Sequence, residues 1–71
     1  MTYELTPEDK IGVVSQHLKN IQYRKYNIEL SLIEENALTS PDSARIAELN
    51  ADMALVITQE SALLTELESL A

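Results

Sequence analysis

The stretch Leu38-Thr39-Ser40-Pro41-Asp42 interrupts a long run of helix-forming residues and decides the fold. Proline cannot continue a preceding helix, and its ring excludes the residue before it from the α region. Ser40 is therefore expected to be the N-cap of a second helix, with Pro41 at its first position and Asp42 near the positive end of its dipole. About thirty residues lie on each side, so both arms would be close to 45 Å long and would fold back on each other.

The composition is that of a small all-α protein. The 71 residues include three Tyr, no Phe or Trp, one Gly and two Pro, which leaves little material for the turns of a multi-strand fold. A chain of this length forms a single domain, 1–71, near the size at which one core is marginal. With no Cys and one His, neither disulfides nor a structural zinc site is expected, so oligomerisation is the expected source of stability.

The charge balance excludes several classes of partner. Twelve acidic and five basic residues give a net charge of −7, whereas nucleic acids and anionic membranes are bound by clustered Lys and Arg. No apolar run approaches the roughly 20 residues that span a bilayer. Residues 1–5, expected to be loosely ordered, lack the features of a secretory signal. We therefore expect a cytoplasmic protein that binds neither nucleic acid nor membrane.

The first helix is expected over about 7–38, with Thr6 as N-cap and Pro7 at the first position. Its apolar residues recur at three-four spacing and form one face, which Lys25 alone interrupts. Gly12 costs about 1 kcal/mol relative to Ala inside a helix; either a close neighbouring backbone or tolerance near a helix end would explain it. The residues of this face are Ile11, Val14, Leu18, Ile21, Ile28 and Leu32.

The second helix is expected over about 41–70 and shows the same spacing, interrupted only by Glu60. Its face packs on that of the first helix, and the two faces form the seam of the hairpin. The residues that the second helix contributes to the seam are Ile46, Leu49, Met53, Val56, Leu63, Leu67 and Leu70.

The two charged interruptions of the seam allow two interpretations. If the arms fold back at Ser40, Glu60 comes level with Lys19 and Asn20, and Lys25 comes near Leu55, with Asp52 about a turn away. We expect Lys25 and Glu60 to lie at the edge of the packed face and to extend their charged ends into water. The alternative is a buried polar position that fixes the register of the helices.

Both helices carry more apolar surface than one neighbour can cover. A second stripe on the first helix is displaced from the seam by over a quarter turn, and two residues widen the face of the second helix. Such residual surface indicates association with further copies. The candidate oligomer interface consists of Tyr23, Tyr26, Leu30, Ile33, Ile57 and Leu64.

The predicted architecture is therefore an all-α, two-helix antiparallel hairpin, coiled-coil-like, that self-associates into a four-helix or larger bundle. One other architecture remains open from the sequence. In it, the turn opens and the two helices run nearly end to end in a parallel multi-stranded coil.

No residue pattern indicates an enzyme. His17 is the only imidazole, and the positions three and four residues away from it hold no carboxylate that could orient it. A Glu-x-x-His motif and EF-hand spacing are missing from the sequence, and one glycine cannot form a phosphate-binding loop. We therefore assign no catalytic, metal or cofactor-binding residue. The basic, aromatic run Tyr23-Arg24-Lys25-Tyr26 is interpreted as a packing surface rather than a base-stacking one.

Three features together suggest a family. Thr6-Pro7-Glu8 opens the first helix, Tyr23-x-x-Tyr26-Asn27 lies in its middle, and Ser40-Pro41-Asp42 opens a second helix rich in Leu and Ala. Over nearly its full length the chain resembles small uncharacterised helical-hairpin proteins of tailed bacteriophages, notably those that infect marine cyanobacteria. The resemblance implies a phage protein expressed inside an infected bacterium, and it implies no activity.

The sequence thus predicts a non-enzymatic interaction or assembly protein. It would act through homo-oligomerisation, as a dimer or higher oligomer, or by binding a protein partner through its helices. One alternative is a small acidic inhibitor or nucleic-acid mimic that blocks a host protein, which the charge of −7 suggests. Another is an antitoxin-like or chaperone-like protein whose apolar stripe binds a partner helix.

Overall fold

The computed structural model describes residues 4–71 as two helices packed against each other. Helix α1 spans Pro7–Asn36, helix α2 spans Ser43–Leu70, and residues 37–42 connect them. The hairpin is slender, with extents of 62 × 18 × 15 Å, and residues 4–71 contain no strand. The predicted all-α antiparallel hairpin is confirmed. Residues 1–3 of the expected loose N-terminus lie outside the described residues.

Helix α1 begins with a capping box. The backbone N–H of Asp9 donates to Thr6 Oγ1 at 3.1 Å, and the backbone N–H of Thr6 donates to Asp9 Oδ2 at 3.1 Å. Pro7 occupies the first helical position, where its missing N–H leaves no gap in the hydrogen bonding. The cap and first residue predicted for this helix are therefore correct.

Helix α2 begins two residues later than expected, because Asp42 rather than Ser40 is its N-cap. Asp42 Oδ1 accepts hydrogen bonds of 3.0 and 3.3 Å from the backbone N–H groups two and three residues further on. The N–H of Asp42 itself donates to Glu35 Oε1 at 2.8 Å, which ties the start of α2 to the end of α1. A carboxylate satisfies these amides and the helix dipole together, so Ser40 and Pro41 remain in the connection.

Helix α1 ends at Asn36, two residues earlier than predicted. Ala37 is its C-cap, and the N–H of Leu38 donates to the carbonyl of Glu35 at 3.2 Å, a three-residue bond that tightens the last turn. No residue in the described part of the chain has a positive φ. The chain therefore reverses over six residues without a left-handed turn position.

The seam between the helices contains the apolar residues that the periodicity places there. Val14, Ile21, Leu49 and Val56 are at most 9% exposed, and Ile21 is 1% exposed. The other seam positions are half-buried, because a two-helix core is open on both sides. These half-buried positions are Ile11, Leu18, Ile28, Leu32, Ile46, Met53, Leu63, Leu67 and Leu70.

Candidate interaction surface

The two charged interruptions of the seam pair with each other. Lys25 Nζ lies 3.3 Å from Glu60 Oε1 and 3.4 Å from Glu60 Oε2, and Gln22 Nε2 also donates to Glu60 Oε2. The side chains of Lys25 and Glu60 are only 26% and 19% exposed. Both side chains keep some exposure at the edge of the packed face, as expected, but their charged ends pair with each other instead of extending into water. The hydrogen bonds of Glu60 are to Gln22 and Lys25 rather than to Lys19 or Asn20.

The direction of the side chains explains this pairing. On any α-helix the Cα–Cβ bonds tilt toward the N-terminus. In an antiparallel hairpin the side chains of the two helices consequently tilt in opposite directions. Lys25 tilts away from the connection and Glu60 tilts toward it, so the ammonium and carboxylate meet although their backbones lie about one and a half turns apart in height.

The carboxyl of Glu60 is held in its charged form. Its pKa lies below the ordinary value of 4.5, first because the Gln22 amide hydrogen-bonds to the carboxylate and then because the Lys25 ammonium donates to it and attracts it. Partial loss of hydration raises the pKa and is a weaker effect than either hydrogen bond. The seam therefore contains a fixed ion pair at neutral pH.

Two side-chain contacts mark the two flanks of the hairpin. Residues 22 and 24 are separated by about 200° around α1, so their side chains point to opposite sides. Gln22 contacts Glu60 on one flank, and Arg24 Nη1 donates to Gln59 Oε1 at 3.3 Å on the other. Every further side chain can be assigned to a flank from its helical spacing to these contacts.

The flank of the Gln22–Glu60 contact is the more apolar one. One turn after Gln22 lies an exposed tyrosine, and one turn before and one turn after Glu60 lie exposed aliphatic residues. The exposed fractions are 59% for Tyr26, 63% for Ile33, 48% for Ile57 and 45% for Leu64. We call these four residues the Tyr26 flank.

The remaining two residues of the predicted oligomer interface lie farther from α2. Tyr23 and Leu30 are on the side of α1 that points away from α2, since each lies about half a turn from seam positions two residues away. Tyr23 is 61% exposed and Leu30 is half-buried. Tyr26 and Ile33 are therefore the α1 members of the predicted interface nearest the two α2 residues, and Tyr23 and Leu30 border them on the outer side of α1.

The opposite flank has a shallow depression of about 330 Å³. Its rim holds charges of opposite sign on Arg24 and Asp52 together with Leu55, which is 59% exposed. No buried side-chain nitrogen or oxygen in the described chain lacks a hydrogen-bond partner, so no unsatisfied polar group points into the depression. Helical spacing alone does not identify this depression, because residues of both helices line it.

Residues 4–71 contain no group of three or more His, Cys, Asp or Glu side chains that could hold a metal ion. His17 is exposed. Within the same residues, neither helix combines the length and apolar character needed to cross a bilayer.

Comparisons with known proteins add no assignment. No protein-family model matches the chain, and neither a curated protein nor a solved structure matches it significantly. The function is therefore inferred from the surface of the hairpin.

Proposed function

We propose that this protein is a non-enzymatic assembly protein whose working form is a homo-oligomer, with a second copy covering the Tyr26 flank. The observation that supports the proposal is the exposed area of the hairpin. The chain exposes 5450 Å², whereas a compact protein of its mass exposes about 4,400 Å². The excess of about 1,000 Å² is close to the roughly 800 Å² that each partner buries in an interface of standard size.

The shape of the hairpin supports the same proposal. Its radius of gyration is 16.9 Å, whereas a compact chain of this length has about 11 Å. The core is a single seam, and isolated chains of this size rarely gain enough stability from one core. A second copy on the Tyr26 flank gives each helix two neighbours and converts the seam into the interior of a four-helix bundle.

The mass in solution tests the proposal. We expect light scattering on a size-exclusion column to give at least twice the chain mass of 7.9 kDa, with high helicity in the same samples. Ile57→Asp should lower the mass, because it places a charge on the Tyr26 flank. Leu55→Asp is the matched control, since Leu55 is an exposed aliphatic residue of the same helix on the opposite flank.

Two results would contradict self-association through this flank. One is a wild-type protein that is monomeric and helical at all concentrations. The other is an equal loss of mass in both variants. Salt separates the proposal from electrostatic binding, because an apolar contact persists at an ionic strength that screens exposed charges.

A further inference from the structure

Resting on the proposed self-association, we propose that the second copy docks antiparallel, with its connection at the opposite end of the bundle. A two-fold axis then crosses the interface perpendicular to the helices. Under this symmetry α1 packs on α1 of the second copy, and α2 packs on α2. The inference comes from how the residues of the Tyr26 flank and their helical neighbours pair under that rotation.

On α2 the rotation places large residues against small ones. With the axis between Leu55 and Val56, Leu64 comes level with Ala47 of the second copy, and Ile57 comes level with Ala54. Symmetry repeats each of these pairs. Small residues opposite large ones let two helix backbones approach closely and interdigitate their side chains.

On α1 the rotation pairs opposite charges. With the axis at the height of residue 24, Lys19 comes level with Glu29 of the second copy, and Ile33 comes level with Ser15. Two lines of α1 residues at helical spacing, one through Tyr26 and one through Gln22, face this flank. Between Gly12 and Asn36 their charged residues are Lys19 and Glu29. The ion pairs within residues 4–71 involve neither of them.

One axis serves both helices, because its two positions lie at the same height on the hairpin. Helix α1 ends at Asn36 and α2 begins at Ser43, so the backbone of residue 24 lies level with that of residue 55. Arg24 contacts Gln59, one turn further along α2, because the side chains of the two helices tilt in opposite directions. The axis position that pairs residues on α1 therefore coincides in height with the one that pairs residues on α2.

The distribution of charge along the hairpin also favours the antiparallel arrangement. Residues 29–52, around the connection, contain six acidic residues and one basic residue, whereas four of the five basic residues of the chain lie in residues 10–25. Antiparallel docking places the acidic end of α1 in each copy beside the basic part of α1 in the other. Docking with both connections at one end would place the two acidic halves together and leave Lys19 and Glu29 level with neutral residues.

Cysteine cross-linking tests the arrangement directly, because the natural chain has no Cys. The double variant Ala47→Cys/Leu64→Cys should form a covalent dimer on mild oxidation. Its two thiols lie about 25 Å apart along one helix, too far for a bond within one chain. The control Glu48→Cys/Leu64→Cys moves one thiol by a single residue to the other side of α2 and should cross-link at least about tenfold more slowly.

Charge reversal provides a second readout. Lys19→Glu and Glu29→Lys should each raise the dimer dissociation constant about tenfold, because each change converts two attractive pairs into repulsive ones. Combining both substitutions restores opposite charges across the interface, and affinity should return to within about threefold of wild type. The two residues lie about 15 Å apart on α1, so this rescue cannot arise within one chain.

The outcomes separate the two proposals. A dimer that neither cross-links at Ala47/Leu64 nor shows rescue overturns the antiparallel arrangement and leaves self-association standing. A monomer overturns both. A dimer that cross-links in the double variant but not in the control, and that regains affinity in the charge swap, supports both.

Discussion

Replacing Ile21 by Ala tests whether one narrow seam supplies the stability of the hairpin. Ile21 is 1% exposed, and truncating a buried Ile to Ala costs about 2–5 kcal/mol. The higher helix propensity of Ala returns about 0.4 kcal/mol. A seam open on both sides relaxes around the lost methyl groups more easily than a large core. We therefore expect the free energy of unfolding to fall by about 2–3 kcal/mol and the melting temperature by about 10–20 °C.

This loss is large for a chain of 71 residues, whose total stability should be about 4–10 kcal/mol. The assay is urea unfolding followed by far-ultraviolet circular dichroism, at one chain concentration for all variants because oligomer stability depends on concentration. Ile21→Val should cost about 1 kcal/mol, and Leu55→Ala, at a residue 59% exposed, should cost little. A loss below about 1 kcal/mol for Ile21→Ala, or one equal to that of Leu55→Ala, would refute the reasoning.

Three further predictions concern the ion pair, the glycine and the second cap. The folded-state pKa of Glu60 lies below its ordinary value of 4.5. The stability advantage of wild type over Glu60→Gln should therefore be complete above pH 4.5 and decline as the pH falls below it. A difference in urea unfolding that does not change with pH contradicts this. Gly12→Ala should raise the free energy of unfolding by about 1 kcal/mol, because a Cβ at Gly12 meets nothing within 4 Å; an unchanged urea midpoint would count against it. Asp42→Ala should lower stability by about 1 kcal/mol in thermal melts, whereas Ser40→Ala should have almost no effect, and the reverse order would restore Ser40 as the cap.

Sequence periodicity was sufficient to predict the fold, because the three-four spacing of apolar residues depends only on helix geometry. The cap of α1 was readable for the same reason, since Thr6 and Asp9 interact within one turn. The cap of α2 could not be predicted in this way. Ser40 and Asp42 are both good capping residues, and Asp42 also receives a contact from Glu35 on the other helix. Such a contact between helices has no local signal in the sequence.

The surface was predictable only in part. Helical spacing identified the exposed apolar residues, but it could not show that Tyr26 lies nearer to α2 than Tyr23 does. That order follows from the contacts of Gln22 and Arg24 across the seam. The pairing of Lys25 with Glu60 was missed because the register was estimated from backbone height, without the tilt of side chains toward each N-terminus.

The Lys25–Glu60 pair also limits which wrong structures the chain can adopt. If α2 slid by one heptad along α1, Met53 or Leu67 would take the place of Glu60, and both charges would lose their partner while still partly withdrawn from water. In a parallel coil of opened chains, each lysine would instead lie level with the lysine of the next chain, and each glutamate with the next glutamate. The folded-back chain in its observed alignment pairs Lys25 with Glu60, whereas these competing arrangements leave both charges unpaired. The ion pair thus favours the observed alignment over them.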